Sequence, residues 1–300
     1  MKRIFLFALT NIAVMFVLMV VFHVVCGFLG IDPNAAFARN GIDVRALAVF
    51  SLVYGMTGGF ISLLLSKTIA KFSTHAQTID GTEGEAERWL VDTVGQLAER
   101  AHVRMPEVAI YPGEPNAFAT GAFKNSALVA VSTGIMKSMT REELRAVLGH
   151  EMSHVANGDM VTMTLLQGVL NACVIFLSRV IAFVATRAGS DDRDRRGGSG
   201  GLYYLIYYVM QLVLGFGASI IAMWFSRHRE YAADRGSAEL LGSPSSMIAA
   251  LRRLGNLQSG TLPGSLAALG AVGARKSSLF ATHPSLEDRI AALEKFQRGM

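Results

Sequence analysis

Four long apolar stretches, residues 4–31, 46–69, 160–184 and 202–225, divide the chain, and each reaches the roughly 20 residues a helix needs to cross a bilayer. Between them the pattern changes. In residues 86–101, Trp89, Leu90, Val94, Leu97 and Ala98 recur at helical spacing, which predicts a scaffold helix with one face on a core. Residues 106–111 and 127–132 are short β-prone runs bounded by Pro, Gly, Asn and Ser. With Asn116-Ala-Phe-Ala-Thr120 and a turn at Lys124 and Asn125 between them, they predict a small antiparallel sheet. Such strands either support the core or offer an edge to an extended peptide. Thr140 and Glu143 make a capping box that opens a further helix, with Leu144, Val147, Leu148, Met152 and Val155 on its buried side. Residues 73–85, polar and carrying Gly81 and Gly84, read as a linker, and residues 255–278, rich in Gly, Ser and Ala, read as a flap or linker.

The expected architecture is mainly α with a small antiparallel β-sheet, in an integral membrane protein of about four transmembrane helices. Residues 1–71 hold two of these helices, and residues 159–225 hold the other two. Residues 72–158 and 226–300 are the two parts of one polar domain, long enough together to bury a core. Composition agrees, since 51% of the 300 residues are hydrophobic and only 17% charged. Lys2 and Arg3 before an apolar run, with Ala36-Phe-Ala38 later, resemble a signal peptide, but the run exceeds the 7 to 15 residues of a signal core, so it reads as a retained anchor.

Basic residues orient the spans. Lys2 and Arg3 precede the first, Lys67 and Lys71 follow the second, and Arg227 and Arg229 follow the fourth, which places those ends in the cytoplasm. The connector with Arg187, Arg193, Arg195 and Arg196 argues the other way, although Asp191, Asp192 and Asp194 sit among them. The net charge of +5 comes without a basic stripe interleaved with aromatics, so a nucleic-acid partner is excluded. Cys26 and Cys173 both fall in apolar stretches and support neither a disulfide framework nor a cysteine metal site.

The chemistry lies in the helix opened by Thr140. His150 and His154 are four residues apart, so their imidazoles stand one above the other on one face and can share an ion, with Glu151 beside them. Zinc held by two neutral histidines and a carboxylate keeps a fourth position for water, whose pKa it brings to about 7. Glu151 can take that proton and pass it to the leaving amine. A third ligand must come from elsewhere, and Glu230 in Ser226-Arg-His-Arg-Glu230-Tyr-Ala-Ala-Asp234 is the first choice. Asp234, one turn on, can then accept a hydrogen bond from a ligating imidazole. His228 competes as third ligand but points to a different face, and a charged helix start beside a membrane is the plain alternative for the whole segment. His283, in Thr282-His-Pro-Ser285 ahead of a helix containing Arg289, is either a transition-state donor at the cleft or a loop histidine near a cap. His23 reads as a packed residue, and His75 and His102 have no supporting context.

Asn116-Ala-Phe-Ala119, His150-Glu-Met-Ser-His154-Val-Ala-Asn157-Gly-Asp159, Ser226-Arg-His-Arg-Glu230-Tyr-Ala-Ala-Asp234 and Thr282-His-Pro284, with apolar spans interleaved, carry a resemblance over nearly the whole chain. The chain resembles the HtpX-type membrane zinc metalloproteases, relatives of the CAAX prenyl endopeptidases and the Oma-type proteases. The resemblance implies one catalytic zinc on His150, His154 and Glu230, Glu151 as base, and Asp234 behind a ligand. It also implies a substrate-binding edge near Asn116, a cleft role for His283, and a zincin-type domain facing the cytoplasm from the bacterial inner membrane. Its members act in stress-linked quality control on damaged or misassembled membrane proteins, often alongside another membrane protease.

Glu230 lies five residues past Phe225 and His154 six before Met160, so at 1.5 Å per residue the metal is expected within about 10 Å of the span ends. An intramembrane protease would carry the motif inside an apolar span, whereas here charged Arg141 to Arg145 precede it and Asn157 to Asp159 follow. An inactive scaffold or chaperone is the reading from another class, and the intact Glu151 argues against it.

Overall fold

The computed structural model describes residues 16, 19–30, 32, 43–188, 199–258 and 283–299. Most of the first apolar stretch, the signal-like Ala36-Phe-Ala38, the core of the arginine-rich connector and residues 259–278 of the Gly/Ser-rich segment lie outside these. The chain divides into two compact units, Met1–Ser62 with Thr164–Ala222 and Leu63–Met163 with Met223–Met300.

Apolar helices build the first unit. Three helices among the described residues are long and apolar enough to cross a membrane: α2 (Val44–Thr74), α6 (Asp159–Ala188) and α7 (Ser199–Leu241). Of the first expected span, residues 4–31, the described part is a short apolar helix, α1 (Met19–Leu29). Phe22 and Cys26 of α1 pack against Ala46, Phe50 and Val53 of α2. Small residues let α2 and α6 approach closely, a common device between membrane helices. A Cβ on Gly55 would stand 2.5 Å from the backbone nitrogen of Ala172. Outward faces stay apolar, with Leu52, Phe60, Val169, Val213 and Phe216 exposed, as contact with lipid tails would require.

The second unit is a helical domain around a small sheet. After β1 (Gln77–Ile79) come α3 (Glu85–Arg100), β2 (Glu107–Tyr111), β3 (Ala117–Thr120), β4 (Leu128–Ser132) and α4 (Thr133–Ser138). Then follow α5 (Arg141–Asn157), α8 (Ser245–Gln258) and α9 (Leu286–Gln297), with the last third of α7 between α5 and α8 in chain order. Leu90, Val94 and Leu97 of α3, Val129 and Val131 of β4, Leu148 and Met152 of α5, Met247 and Leu251 of α8 and Leu293 of α9 form one buried core.

The sheet corrects the antiparallel expectation, because it is mixed, with strand order β1-β2-β4-β3 and β2 parallel to β4. The link of residues 112–116 is long enough to carry β3 one strand spacing beyond its neighbour, and β4 returns into the gap. Strand β4 is therefore central and wholly buried, while β3 is an edge. The segment read as a linker also contributes β1, three residues paired antiparallel to β2.

Helix α7 departs from the expected pattern too. The segment with Glu230 is no helix start: it continues the apolar helix, since nothing between Phe225 and Glu230 breaks a helix. Its last third crosses α5 through reciprocal small residues. A Cβ on Gly149 would meet Ser237 Oγ at 2.8 Å, and one on Gly236 would meet Ser153 Oγ at 2.5 Å. Ser237 Oγ also donates to the Ala146 carbonyl at 2.7 Å, locking the crossing. Gly236→Val is expected to destabilise this unit by about 1–3 kcal/mol through overpacking, read as a lower unfolding midpoint of the metal-free protein in detergent.

Candidate metal centre

Helix α5 positions three of the candidate residues. Thr140 Oγ1 accepts from Glu143 N, and the Glu143 carboxylate accepts from Thr140 N, so the helix starts where the capping box predicts. It ends at Gly158, whose φ of 67° is a left-handed conformation that glycine takes without strain. From Leu144 to Val155 every residue but Arg145 is buried, including His150, Glu151 and His154. The helix is not among the membrane-spanning candidates.

The two imidazoles lie 4.7 Å apart between centroids, nearly perpendicular, with their Nε2 atoms 3.1 Å apart. Glu230 of α7 meets them. Its Oε2 is 3.5 Å from His150 Nε2 and its Oε1 is 3.5 Å from His154 Nε2. One ligand atom from each of the three side chains falls within 4.8 Å of the other two, and all three are buried. Glu230 Oε2 has no hydrogen-bond partner. Two imidazole nitrogens and a carboxylate oxygen converging on one buried point are a donor set that suits zinc.

The other imidazole nitrogens are also engaged. His150 Nδ1 is 2.9 Å from Asp234 Oδ1, and His154 Nδ1 is 2.5 Å from Asp159 Oδ2. Asp234 in turn accepts two bonds from Arg289, at 2.8 and 2.6 Å, in a pair that is almost fully buried. Burial alone draws the His150 imidazolium down, but the Asp234 and Glu230 carboxylates reverse this and carry it up to about 10. His154 moves upward likewise, with Asp159 and Glu230 outweighing burial. Asp234 and Asp159 accept at Nδ1, so both Nε2 atoms are left to face Glu230.

Glu151 points to the sheet, where its Oε2 accepts from the backbone N–H of Ala119 at 2.8 Å. In β3 the Asn116 carbonyl accepts from Ser132 N, so Phe118 and Thr120 also bond toward β4, while Ala117 and Ala119 turn their backbone groups to the edge. Asn116 sits at the start of this edge with its Oδ1 buried and unpartnered. Nearby Tyr111 ends β2, and burial pushes its phenol up to about 12, so the hydroxyl stays protonated. His283 is brought to the centre, its Nδ1 2.9 Å from Glu230 Oε2 without hydrogen-bond geometry.

The competitor His228 is not brought in: its Nδ1 bonds the Trp224 carbonyl at 3.0 Å and its ring lies on Trp224. His23 bonds the Met19 carbonyl, and His75 and His102 occupy left-handed turns at φ 57° and 53°. Reading the sequence missed the part played by Arg289, which stood out only as a residue of the last helix. Its signal was weak, because a basic residue in a polar helix is ordinarily solvated. Asp159 carried a clearer one, an acid directly after the glycine that ends α5.

These features define a membrane metallopeptidase of the His-Glu-x-x-His class. Residues 85–297 match peptidase family M48, and the chain belongs to that family. It is 54% identical over 298 residues to the "Protease HtpX homolog" of Janthinobacterium sp. (strain Marseille), covering 99% of this chain and 100% of that protein. It is 53% identical over 302 residues to that of Bordetella pertussis (strain Tohama I / ATCC BAA-589 / NCTC 13251), covering 100% of both. The crystal structure of S. mikatae Ste24p shares the fold, with a TM-score of 0.59 at 17% identity over 94% of this chain. The chain spans 62% of the Ste24p length.

Arg289→Met removes one partner of a buried ion pair and is expected to cost about 3–5 kcal/mol. Chemical unfolding of the metal-free protein in detergent measures this, and an unchanged midpoint would mean that Asp234 does not depend on Arg289.

Proposed function

We propose that this metalloprotease holds one zinc ion on His150, His154 and Glu230. We further propose that it cleaves misfolded or damaged membrane proteins beside the cytoplasmic face of the bacterial inner membrane, in stress-linked quality control. The observation that carries the reading is the convergence of both Nε2 atoms on the Glu230 carboxylate, with Glu151 one residue along the same helix. Bound there, zinc would activate a water and polarise the scissile carbonyl.

Glu151 takes the water's proton and returns it to the leaving amine. Its bond to Ala119 N–H fixes the carboxylate beside the free edge of β3. An extended substrate adds to that edge as a further strand, with Ala117 offering backbone groups and Asn116 its side-chain amide. His283 donates to the oxygen that gains charge on the scissile carbonyl. Asp234 keeps the His150 ring in place.

Depth and orientation rest on the chain itself. Glu230 follows the apolar part of α7 on one continuous helix, so substrates tethered in the bilayer present loops and tails within reach. The basic residues after the second and fourth spans support a cytoplasmic domain. Partners are the bilayer, membrane-protein substrates and a cooperating membrane protease.

Glu151→Gln should retain zinc and lose cleavage of an unfolded membrane-protein substrate by about 10²- to 10⁴-fold, with zinc content and product formation measured on the same preparations. Equal cleavage by both forms would overturn the role of Glu151 and this site as the source of the activity, and cleavage by neither would favour an inactive scaffold or chaperone. Cleavage sites mapping to the periplasmic side of a model substrate would overturn the cytoplasmic placement.

A further inference from the structure

Behind each of the two imidazoles stands a carboxylate, and behind each carboxylate an arginine. His150, Asp234 and Arg289 form one such series. The other runs from His154 Nδ1 to Asp159 Oδ2 at 2.5 Å, and from Asp159 Oδ2 to Arg229 Nη1 at 3.5 Å. Asp159 is buried, at 6% exposure, and Arg229 is largely so.

The placement of Asp159 follows from Gly158. In an unbroken helix, residue 159 would lie about 140° around the axis from His154, facing elsewhere. The left-handed turn at Gly158 ends α5 and turns the chain so that the first residue of α6 comes back to the imidazole. An acid in the first turn of a helix ordinarily stabilises the helix through its dipole. That role does not require burial, an imidazole partner or an arginine behind it.

We propose that Asp159, with Arg229 Nη1 3.5 Å behind it, is the positioning residue for His154, fixing the ring and its tautomer so that Nε2 faces the metal. The proposal rests on the reading of His154 as a metal ligand. An imidazole that ligates through Nε2 carries its proton on Nδ1, and an acceptor there sets both orientation and basicity. Arg229 and Asp234 flank Glu230 on α7, so one helix supplies the third ligand and reaches both imidazoles: Asp234 directly, and Arg229 through Asp159. The second series is the looser of the two, with a single 3.5 Å approach where Arg289 makes a bidentate bond.

The test is zinc affinity of the full chain in detergent, by competition with a chromophoric chelator, for wild type, His154→Ala, Asp159→Asn and Arg229→Gln. Asp159→Asn is expected to bind about ten- to a hundredfold more weakly, and Arg229→Gln about threefold more weakly, as outer residues around a metal do. The absorption bands of the cobalt-loaded protein should shift in Asp159→Asn. A helix-dipole role alone would lower the unfolding midpoint of the metal-free protein and leave affinity and cobalt bands unchanged. Asp159→Asn within twofold of wild type, while His154→Ala loses zinc, would overturn the proposal and leave the ligand set standing. Retention of zinc by His154→Ala would instead remove the ligand reading on which it rests. If Asp159→Asn does not fold, Arg229→Gln decides, and parity with wild type then overturns the proposal.

Discussion

Everything at the metal centre depends on how closely α5 can approach α7. The two histidines on α5 are fixed relative to one another by helical geometry, but the carboxylate that meets them belongs to a helix some eighty residues further along the chain. Gly149 against Ser237 and Gly236 against Ser153 remove the side chains that would hold the helices apart. The Ser237 hydroxyl on the Ala146 carbonyl fixes their register. Glu230 lies two turns before this crossing, and the approach carries its carboxylate to both imidazoles.

Bringing the helices together also buries a dense set of charges. Glu230, Asp234, Asp159 and Arg289 are each almost wholly out of water, as are the two histidines. Isolated burial of any of them would be costly, so each has a specific opposite partner. Arg289 binds Asp234 through a bidentate bond, and Asp234 meets His150 at Nδ1 while Glu230 meets it at Nε2. Arg289 also comes within 3.4 Å of Glu230 Oε2, so one guanidinium faces both carboxylates, with the bidentate bond given to Asp234.

Local patterns made part of this legible in the sequence. The helix with His150 and His154 carries its own start signal at Thr140 and its own stop at Gly158, and the spacing of its histidines has one physical consequence. The nearness of Glu230 and Asp234 to one imidazole was readable for the same reason, because the two carboxylates lie one turn apart on a single helix. Long-range pairing was not legible: the parallel partnership of β2 and β4 depends on where β3 goes, and nothing in the strand residues specifies it. The short β1 was hidden in a polar segment, since three residues give no periodicity to read. Arg289 was invisible as a buried residue because its partner is 55 positions away.

The edge strand is tied to the His-Glu-x-x-His helix through Glu151. Glu151 lies on α5 with the two histidines, yet its carboxylate accepts from a backbone N–H of β3, the edge strand of the sheet. Side-chain substitutions on β3 leave that N–H in place, so the contact is insensitive to which residue stands at 119 and sensitive to where the strand lies. The position of β3 is set by β4, which the core holds on both faces. A shift of β3 would therefore change the distance between the Ala119 N–H and the Glu151 carboxylate, which stays with His150 and His154 on α5.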